Sequence, residues 1–374
     1  MLSKTTVILG VLGFVLSSSR SFVNAQGGTT CNVTTPCPAS APCCSEFGFC
    51  GEGTFCLGGC NPFASHSLDS CMPEPVCQNA EHKFPDLSRI LMNGTYYGGN
   101  ASSYDWVLDK GNVINTNNSG GELAFLLTEE NGGTRLSSTR YVHYGKITAR
   151  MKTGRWGGVV TAFITMSDIK DEIDWEFPGA QTTEGQTNYF WQGVIPDKTH
   201  GDTTKGLTDT FVNYHDYTID WKQDSLTFLV DNKEVRTIQR SDTVGSDGVA
   251  RFPSTPSRVQ LSLWPAGINT SAPGTVEWAG GMINWQDPDY VKAGHFYALL
   301  SSLSITCQDP TPPSANTTSY VYHSNSSAFL PDIEFSEETT INGARGRFGG
   351  GFGGLSGLVG ISVMMGLLLG LGLF

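Results

Sequence analysis

The chain has 374 residues, of which 39% are hydrophobic and 16% charged, so it is long enough for one large domain with its own core and a smaller module. Its formal net charge of −12 argues against a nucleic-acid-binding protein, which needs Lys and Arg to neutralise phosphates. The 45 glycines, with many Ser, Thr and Asn residues, favour turns and short strands over helices.

Residues 1–25 have the pattern of a secretory signal peptide. Lys4 precedes an apolar run over 7–16, and a small-x-small cleavage pattern ends at Ala25. The run is too short to span a bilayer, which favours a cleaved signal over a transmembrane helix. Secretion predicts an oxidising and glycosylated setting. The sequence has seven Asn-x-Ser/Thr acceptors for such glycosylation: Asn32, Asn93, Asn100, Asn117, Asn269, Asn316 and Asn325.

Nine of the ten cysteines lie between Cys31 and Cys77, and only Cys307 lies elsewhere. A short secreted segment cannot bury much core, so we expect disulfides to hold residues 26–77 together. A zinc site is the alternative, but His66 is the only histidine in this segment and paired CxxC units are missing.

The segment 43–51 contains two adjacent cysteines followed by Ser-x-aromatic-Gly-x-Cys-Gly, and over 31–60 it resembles the hevein-type chitin-binding domain. The resemblance implies that a hydroxyl and three rings bind N-acetylglucosamine units: Ser45, Phe47, Phe49 and Phe55. We expect exposed rings because the module is too small to bury them, the alternative being a miniature core. The resemblance also implies three disulfides: Cys31–Cys44, Cys37–Cys50 and Cys43–Cys56. Two further pairs are hypotheses that it does not supply: Cys60–Cys71 and Cys77–Cys307.

Residues 78–308 lack a helical hydrophobic period of useful length. Short runs of alternating or β-branched residues are separated by Gly, Asn and Asp turns, and they predict strands over 144–151, 158–165, 225–230, 234–238, 258–264 and 299–306. The turn over 231–233 predicts a hairpin. So many strands predict an all-β fold, a jelly-roll β-sandwich catalytic domain preceded by the small disulfide-rich module.

The segment 171–179 carries the chemistry. Strict alternation places Glu172, Asp174 and Glu176 on one strand face, with three apolar residues on the other. Three like charges on one face cost stability unless something uses them, and acids are depleted in ordinary exposed strands, which are the alternative. A retaining glycosidase needs one carboxylate as nucleophile and one carboxylic acid as proton donor.

This Glu-x-Asp-x-Glu pattern resembles the signature strand of glycoside hydrolase family 16, in the branch without a bulge. The resemblance implies that Glu172 is the nucleophile, that Glu176 is the general acid/base, and that Asp174 orients and tunes the nucleophile. It also implies that Trp264, Thr275 and Trp278 line the cleft.

Aromatic residues just after the catalytic strand are further candidates to stack on sugar rings, although each could equally be core: Tyr189, Phe190 and Trp191. Asn188 and Gln192 could bond sugar hydroxyls. No clustered metal-ligand spacing is present, so no metal and no cofactor are expected.

After Cys307 the composition changes to Pro, Ser, Thr and Asn, which predicts an unfolded, glycosylated stalk over 309–342. Residues 355–374 are almost entirely apolar or Gly. Small residues and a polar spacer precede them, which is the pattern of a GPI-anchor signal over 343–374. Asn342 is the expected attachment residue, Gly343 the second choice, and a plain tail anchor the alternative.

The catalytic strand, the hevein-like module and the GPI signal together resemble the fungal Crh-type cell-wall transglycosylases. The resemblance implies an enzyme at the cell wall and outer face of the plasma membrane that moves chitin chains onto β-1,3/1,6-glucan. We expect a monomer with no nucleic-acid partner. Two alternatives remain, a secreted endo-hydrolase of chitin or β-glucan and a non-catalytic chitin-binding wall lectin. The lectin predicts a degraded acidic set, whereas all three acids are present.

Overall fold

The computed structural model describes residues 28–340, which are almost entirely β-structure. The expected signal peptide, Asn342 and the GPI-anchor segment lie outside this range. Within it, no helix combines the length and the apolar character needed to cross a bilayer.

Most strands belong to the large domain, with short ones before and after it. Three strands precede it: β1 (Cys43–Cys44), β2 (Cys50–Gly51) and β3 (Glu74–Pro75). The large domain then supplies β4 (Ala80–Lys83), β5 (Ile90–Leu91), β6 (Trp106–Lys110), β7 (Asn112–Asn115), β8 (Leu123–Leu127), β9 (Thr134–Val142), β10 (Gly145–Lys152), β11 (Val159–Ser167), β12 (Glu172–Pro178), β13 (Glu184–Phe190), β14 (Asp202–Lys205), β15 (His215–Trp221), β16 (Ser225–Val230), β17 (Lys233–Gln239), β18 (Ser257–Pro265) and β19 (Phe296–Cys307). Two strands follow it: β20 (Ser319–Tyr322) and β21 (Ile333–Ser336).

Helices are few and short over residues 28–340. The α-helices there are α1 (Pro273–Trp278) and α2 (Pro288–Ala293). Single 3₁₀ turns cover Gly53–Cys56, Gly94–Tyr96, Asn118–Gly120 and Arg240–Thr243.

Two eight-stranded sheets form a sandwich, which confirms the predicted all-β fold. The active-site sheet has the order β14-β13-β12-β11-β18-β9-β6-β5. The back sheet has the order β17-β16-β15-β10-β19-β8-β7, with β4 also paired to β19. Neighbouring strands are antiparallel except β5 and β6. The predicted hairpin joins β16 to β17, where Asp231 and Asn232 have φ of 50° and 64°, values that suit a type I′ turn.

The core lies between the sheets and fixes the catalytic strand from behind. Trp175 and Phe177 of β12 are at most 1% exposed and pack on Tyr217 and Phe228 of the back sheet. The Trp175 indole donates a hydrogen bond to the Thr218 carbonyl at 3.2 Å. This bond satisfies the one polar atom of the buried ring and ties β12 to the back sheet.

All ten cysteines are disulfide-bonded, so the zinc alternative has no free thiolate to use. The module contains the pairs Cys31–Cys44, Cys37–Cys50, Cys43–Cys56 and Cys60–Cys71. Cys77 is bonded to Cys307, which joins the two ends of the large domain across 230 residues.

The expectation of an unfolded stalk over 309–342 is wrong for two stretches of that segment, 319–322 and 333–336, which are strands. β20 and β21 pair with each other and with β3 in a three-stranded sheet. Tyr320 is 1% exposed, and its hydroxyl donates to Asp309 Oδ1 at 2.7 Å. The average Ser/Thr/Asn composition conceals two short strands rich in Tyr, Val, Ile and Phe, whose rings pack on the large domain.

Candidate active site

The strand β12 presents three acids to the open face of its sheet. Ile173, Trp175 and Phe177 point into the sandwich core, and the alternation turns the acids the other way. Glu172 and Glu176 are half-buried, whereas Asp174 between them is only 2% exposed. The face therefore holds two accessible carboxyl groups with a third buried between them.

The two glutamates sit in different electrostatic states. Burial, followed by the negative charge of Glu172, raises the pKa of Glu176 to about 8. Glu176 is therefore mainly protonated at neutral pH and can donate a proton. Burial also raises the pKa of Glu172, but its hydrogen bond with Asp174 and the charge of Lys170 oppose that rise.

Asp174 supplies the proton for that hydrogen bond. Burial, and then the charges of Glu172 and Glu176, raise the pKa of Asp174 well above its usual range. A neutral Asp174 can donate its O–H to the Glu172 carboxylate, which favours the ionised form of Glu172 and orients it. Asp174 Oδ1 has no hydrogen-bond partner among the described residues. The strand thus holds a nucleophile candidate, a donor that supports its carboxylate form, and a mainly protonated acid.

The neighbouring strand β13 supplies three cross-strand partners on the same face. Phe190 lies opposite Glu172, Asn188 opposite Asp174 and Gln186 opposite Glu176. All three partners are half-buried. Sequence analysis missed Gln186, although the alternation used for β12, applied to β13, would have found it.

Tyr189 lies on the face of β13 that points into the core and not on the face that lines this cleft. Its expected role as a sugar-stacking residue is therefore wrong. It lies opposite Ile173, is 4% exposed, and belongs to the sandwich core. Its ring stacks on His200 with centroids 4.3 Å apart. An aromatic residue on the inward face of a strand packs in the core.

Trp191 also fails the expectation of a sugar platform. It lies beyond the end of β13 and is 8% exposed. The Arg251 guanidinium lies 5.2 Å from its ring centroid, and Phe329 packs on it from the C-terminal segment at 6.4 Å. The Gln192 amide, a second candidate for sugar contacts, donates instead to the Ala328 carbonyl.

Two tryptophans lie at the Glu176 end of the cleft. Trp264 on β18 lies opposite Val160, and its ring stacks on Trp278 with centroids 6.0 Å apart. Trp278 Nε1 donates to Gln186 Oε1 at 2.8 Å, which brings α1 against the strand beside the acids. Thr275, half-buried, lies one turn earlier in α1, so a short helix forms this side of the cleft.

Asp171, just before β12, positions the start of the catalytic strand, and sequence analysis gave it no role. It is 1% exposed and accepts hydrogen bonds from the backbone N–H of Gln192 at 3.0 Å and of Ser254 at 2.9 Å. Thr255 Oγ1 donates to it at 2.8 Å. One carboxyl group thus joins three segments around the Glu172 end of the cleft.

The three rings of the cysteine-rich module that are expected to bind sugar are at the surface and do not form a miniature core. Phe47, Phe49 and Phe55 are 69%, 43% and 37% exposed. The Ser45 hydroxyl donates to the Phe49 carbonyl at 3.0 Å and accepts from the Phe49 N–H at 3.3 Å, which shapes the loop that carries these rings.

Known proteins resemble the chain along most of its length. Residues 100–280 match glycosyl hydrolases family 16. Crh-like protein 2 of Aspergillus fumigatus is 44% identical over 257 residues, which are 68% of this chain and 57% of that protein. Congo red hypersensitive protein 2 of Saccharomyces cerevisiae is 41% identical over 322 residues, which are 85% of this chain and 68% of that protein.

A solved structure shares the fold. The Crh5 transglycosylase in complex with NAG is 28% identical with a TM-score of 0.58, over 74% of this chain and all of that one. The chain spans only 57% of the length of Crh-like protein 2 of Aspergillus fumigatus.

Proposed function

The chain belongs to the Crh-like proteins of glycosyl hydrolase family 16, and from that premise we propose that it is a retaining transglycosylase of the cell wall. The observation that carries the proposal is the strand β12, where a hydrogen bond from Asp174 favours the carboxylate form of Glu172, and Glu176, with a pKa of about 8, keeps its proton at neutral pH. A retaining enzyme needs this pair of protonation states.

In the first step, the Glu172 carboxylate attacks the anomeric carbon while Glu176 donates its proton to the departing glycosidic oxygen. The glycosidic bond breaks and a glycosyl–Glu172 ester forms. In the second step, Glu176 removes the proton from a hydroxyl of another glycan. That oxygen attacks the anomeric carbon, and the ester bond to Glu172 breaks. Two inversions give net retention, and Glu176 regains its proton.

The proposed donor is chitin and the proposed acceptor is β-1,3/1,6-glucan. The exposed rings of the module support a chitin donor because flat apolar rings stack on the apolar faces of sugars. The name of the solved Crh5 complex, which includes NAG, points the same way. The rings Trp264 and Trp278 offer further sugar contacts beside Glu176.

The proposed organisation follows the expected boundaries, with a signal peptide over 1–25, a chitin-binding module over 26–77, a catalytic domain over 78–308, and a GPI signal after Asn342. It places the enzyme at the outer face of the plasma membrane and in the wall. The glycosylation candidates are accessible: Asn100 is half-buried and the other six are exposed. Hydrolysis is the second candidate, because water can replace the acceptor in the second step.

The test incubates the secreted protein with chitin oligosaccharides and a fluorescent β-1,3-glucan oligosaccharide, and sizes the products by mass spectrometry. Hybrid molecules that carry both sugars are the expected result. Chitin fragments alone would make the enzyme a hydrolase. An unchanged mixture over several β-glycan donors would overturn the enzymatic proposal in favour of a lectin.

The roles of the two glutamates are tested separately. Glu172→Gln and Glu176→Gln should each lower turnover by at least about a thousandfold while the fold is kept, since each removes an essential group. Added azide should restore activity to Glu176→Ala and yield a glycosyl azide of retained configuration, because the ester on Glu172 still forms. Substantial turnover by either Gln variant would show that the assignment is wrong.

A further inference from the structure

The cysteine-rich module packs against the catalytic domain through partly buried polar contacts. The Glu46 carboxylate, 18% exposed, accepts a hydrogen bond from Arg135 Nη2 at 2.5 Å, and Arg135 Nε also donates to Asp109 at 2.9 Å. The Gly59 N–H donates to Asp168 Oδ1 at 2.8 Å. The Glu46–Arg135 and Gly59–Asp168 contacts join residues 89 and 109 positions apart in sequence, so they fix the module on the large domain.

Two glycines allow this close approach. At Gly58, a Cβ atom would lie 2.4 Å from Nη1 of Arg258, a side chain that is only 9% exposed. At Gly59, with φ of +88°, a Cβ atom would lie 2.8 Å from the Glu46 Cβ. A larger residue at Gly58 would press on the large domain, and one at Gly59 would press on Glu46 within the module and disturb its contact with Arg135.

Electrostatics keep the contact intact at neutral pH. Burial disfavours the Glu46 carboxylate, but the charge and hydrogen bond of Arg135 outweigh it, with help from Lys170 and Arg258, and lower the pKa of Glu46. Glu46 therefore stays ionised between three cations.

The module contacts the same sheet face that carries the acids. Strand register follows one line across the sheet: Glu176 lies opposite Ala162, Ala162 opposite Ser262, and Ser262 opposite Arg135. Three strand steps of about 4.8 Å place Arg135 about 14 Å from Glu176. Glu46 therefore stands in line with the catalytic acids.

The exposed rings begin at this contact. Phe47 directly follows Glu46, so its Cα is about 3.8 Å from that of the anchoring residue. Phe47 is also the most exposed of the three rings, at 69%. A sugar polymer that ran along this line from Glu176 would meet the module beside Phe47 after a few sugar rings.

From this placement we infer that the module is a fixed wall of the active-site cleft, and that Phe47 binds a distal sugar of the same chitin chain that the acids cleave. The inference rests on the proposed function and extends it. The module is then part of the donor site and sets a preference for long chains, beyond any role in attaching the enzyme to insoluble chitin.

The test compares kcat/KM for a chitin tetrasaccharide and a chitin octasaccharide, with the full secreted protein and one glucan acceptor. Phe47→Ala should reduce the octasaccharide-to-tetrasaccharide ratio of kcat/KM by about five- to tenfold, the effect of losing one stacked ring. Phe47→Trp should keep or raise the ratio. Tyr96→Ala, a matched removal of a 79%-exposed ring outside the module, should leave the ratio unchanged.

A second variant separates a fixed wall from a freely tethered module. Glu46→Lys places a fourth cation among Arg135, Arg258 and Lys170 and should release the module. We expect it to lose the preference for the octasaccharide while it still binds insoluble chitin in a pull-down. An unchanged ratio in both Phe47→Ala and Glu46→Lys would overturn the inference. If the wild-type protein forms no product from either chitin, the proposed function itself fails, which is a separate outcome.

Discussion

Glu176 combines a catalytic use with a cost to stability. Its pKa of about 8 lies well above the ordinary value of 4.5, because burial and the Glu172 charge disfavour the carboxylate. Between these two pH values the folded state binds more protons than the unfolded state, so stability falls as pH rises. The protonated form, in which Glu176 can act as an acid, is therefore also the form in which the folded state is more stable.

Glu176→Gln should make the protein more heat-stable than the wild type at pH 8, with a difference that shrinks towards pH 4.5. The substitution removes a group whose ionisation the folded state resists. Tm measured by calorimetry across this range checks the prediction. Glu277→Gln, which neutralises an exposed carboxylate, is the control. A difference in Tm between Glu176→Gln and the wild type that stays constant at all pH values would contradict the prediction.

Asp174 acts on Glu172, and its substitution should show in the pH profile. Asp174→Asn keeps a neutral donor beside Glu172 and should lose no more than about tenfold in kcat/KM, whereas Asp174→Ala removes the donor and should lose about a hundredfold or more. Because that hydrogen bond lowers the pKa of Glu172, its loss should move the acidic limb of the kcat/KM profile to higher pH. An unmoved limb in Asp174→Ala would refute this role.

At the scale of the strand, parity decides which residues reach the sugar. The period of two is visible inside 172–178, so the face of the three acids could be predicted from sequence. The cross-strand partners depend on register, which pairs residues of separate strands. Tyr189 was misassigned because an aromatic side chain near the site suits both a core and a platform, and only its pairing with Ile173 settles the choice.

Asn188 and Tyr189 form a matched test of that parity. Asn188→Ala should lower kcat/KM with little change in Tm, because Asn188 lies opposite Asp174 on the open face. Tyr189→Ala should lower the free energy of unfolding by about 3 kcal/mol, as for other aromatic deletions from a core. Chemical denaturation and kinetics on both variants check this. If Tyr189→Ala lost activity and Asn188→Ala lost stability instead, Tyr189 and not Asn188 would line the cleft.

For the whole molecule, sequence predicted the parts better than their assembly. Cysteine order indicated the module and short alternating runs indicated the sandwich, since both signals are local. The contact between Glu46 and Arg135 spans 89 residues, and no local pattern announces it. The C-terminal segment differs from its predicted stalk for a related reason. Its average Ser/Thr/Asn content hides Tyr320 and Phe335, which pack together and stabilise it as a sheet.

The C-terminal sheet should therefore be needed for stability. Tyr320 fills a site against His143 and Phe335, and its hydroxyl accepts a hydrogen bond from the Cys77 N–H at 3.3 Å beside the disulfide to Cys307.

A chain that ends at Pro310 loses these contacts and exposes β3. It should melt at lower temperature and be cleaved faster by protease than a chain that ends at Thr340. Tyr320→Ala in the longer chain should reproduce most of this loss of stability, lowering the free energy of unfolding by about 3–5 kcal/mol. If the two chain lengths melt together, residues 311–340 contribute nothing to the fold and behave as the stalk that their composition suggests.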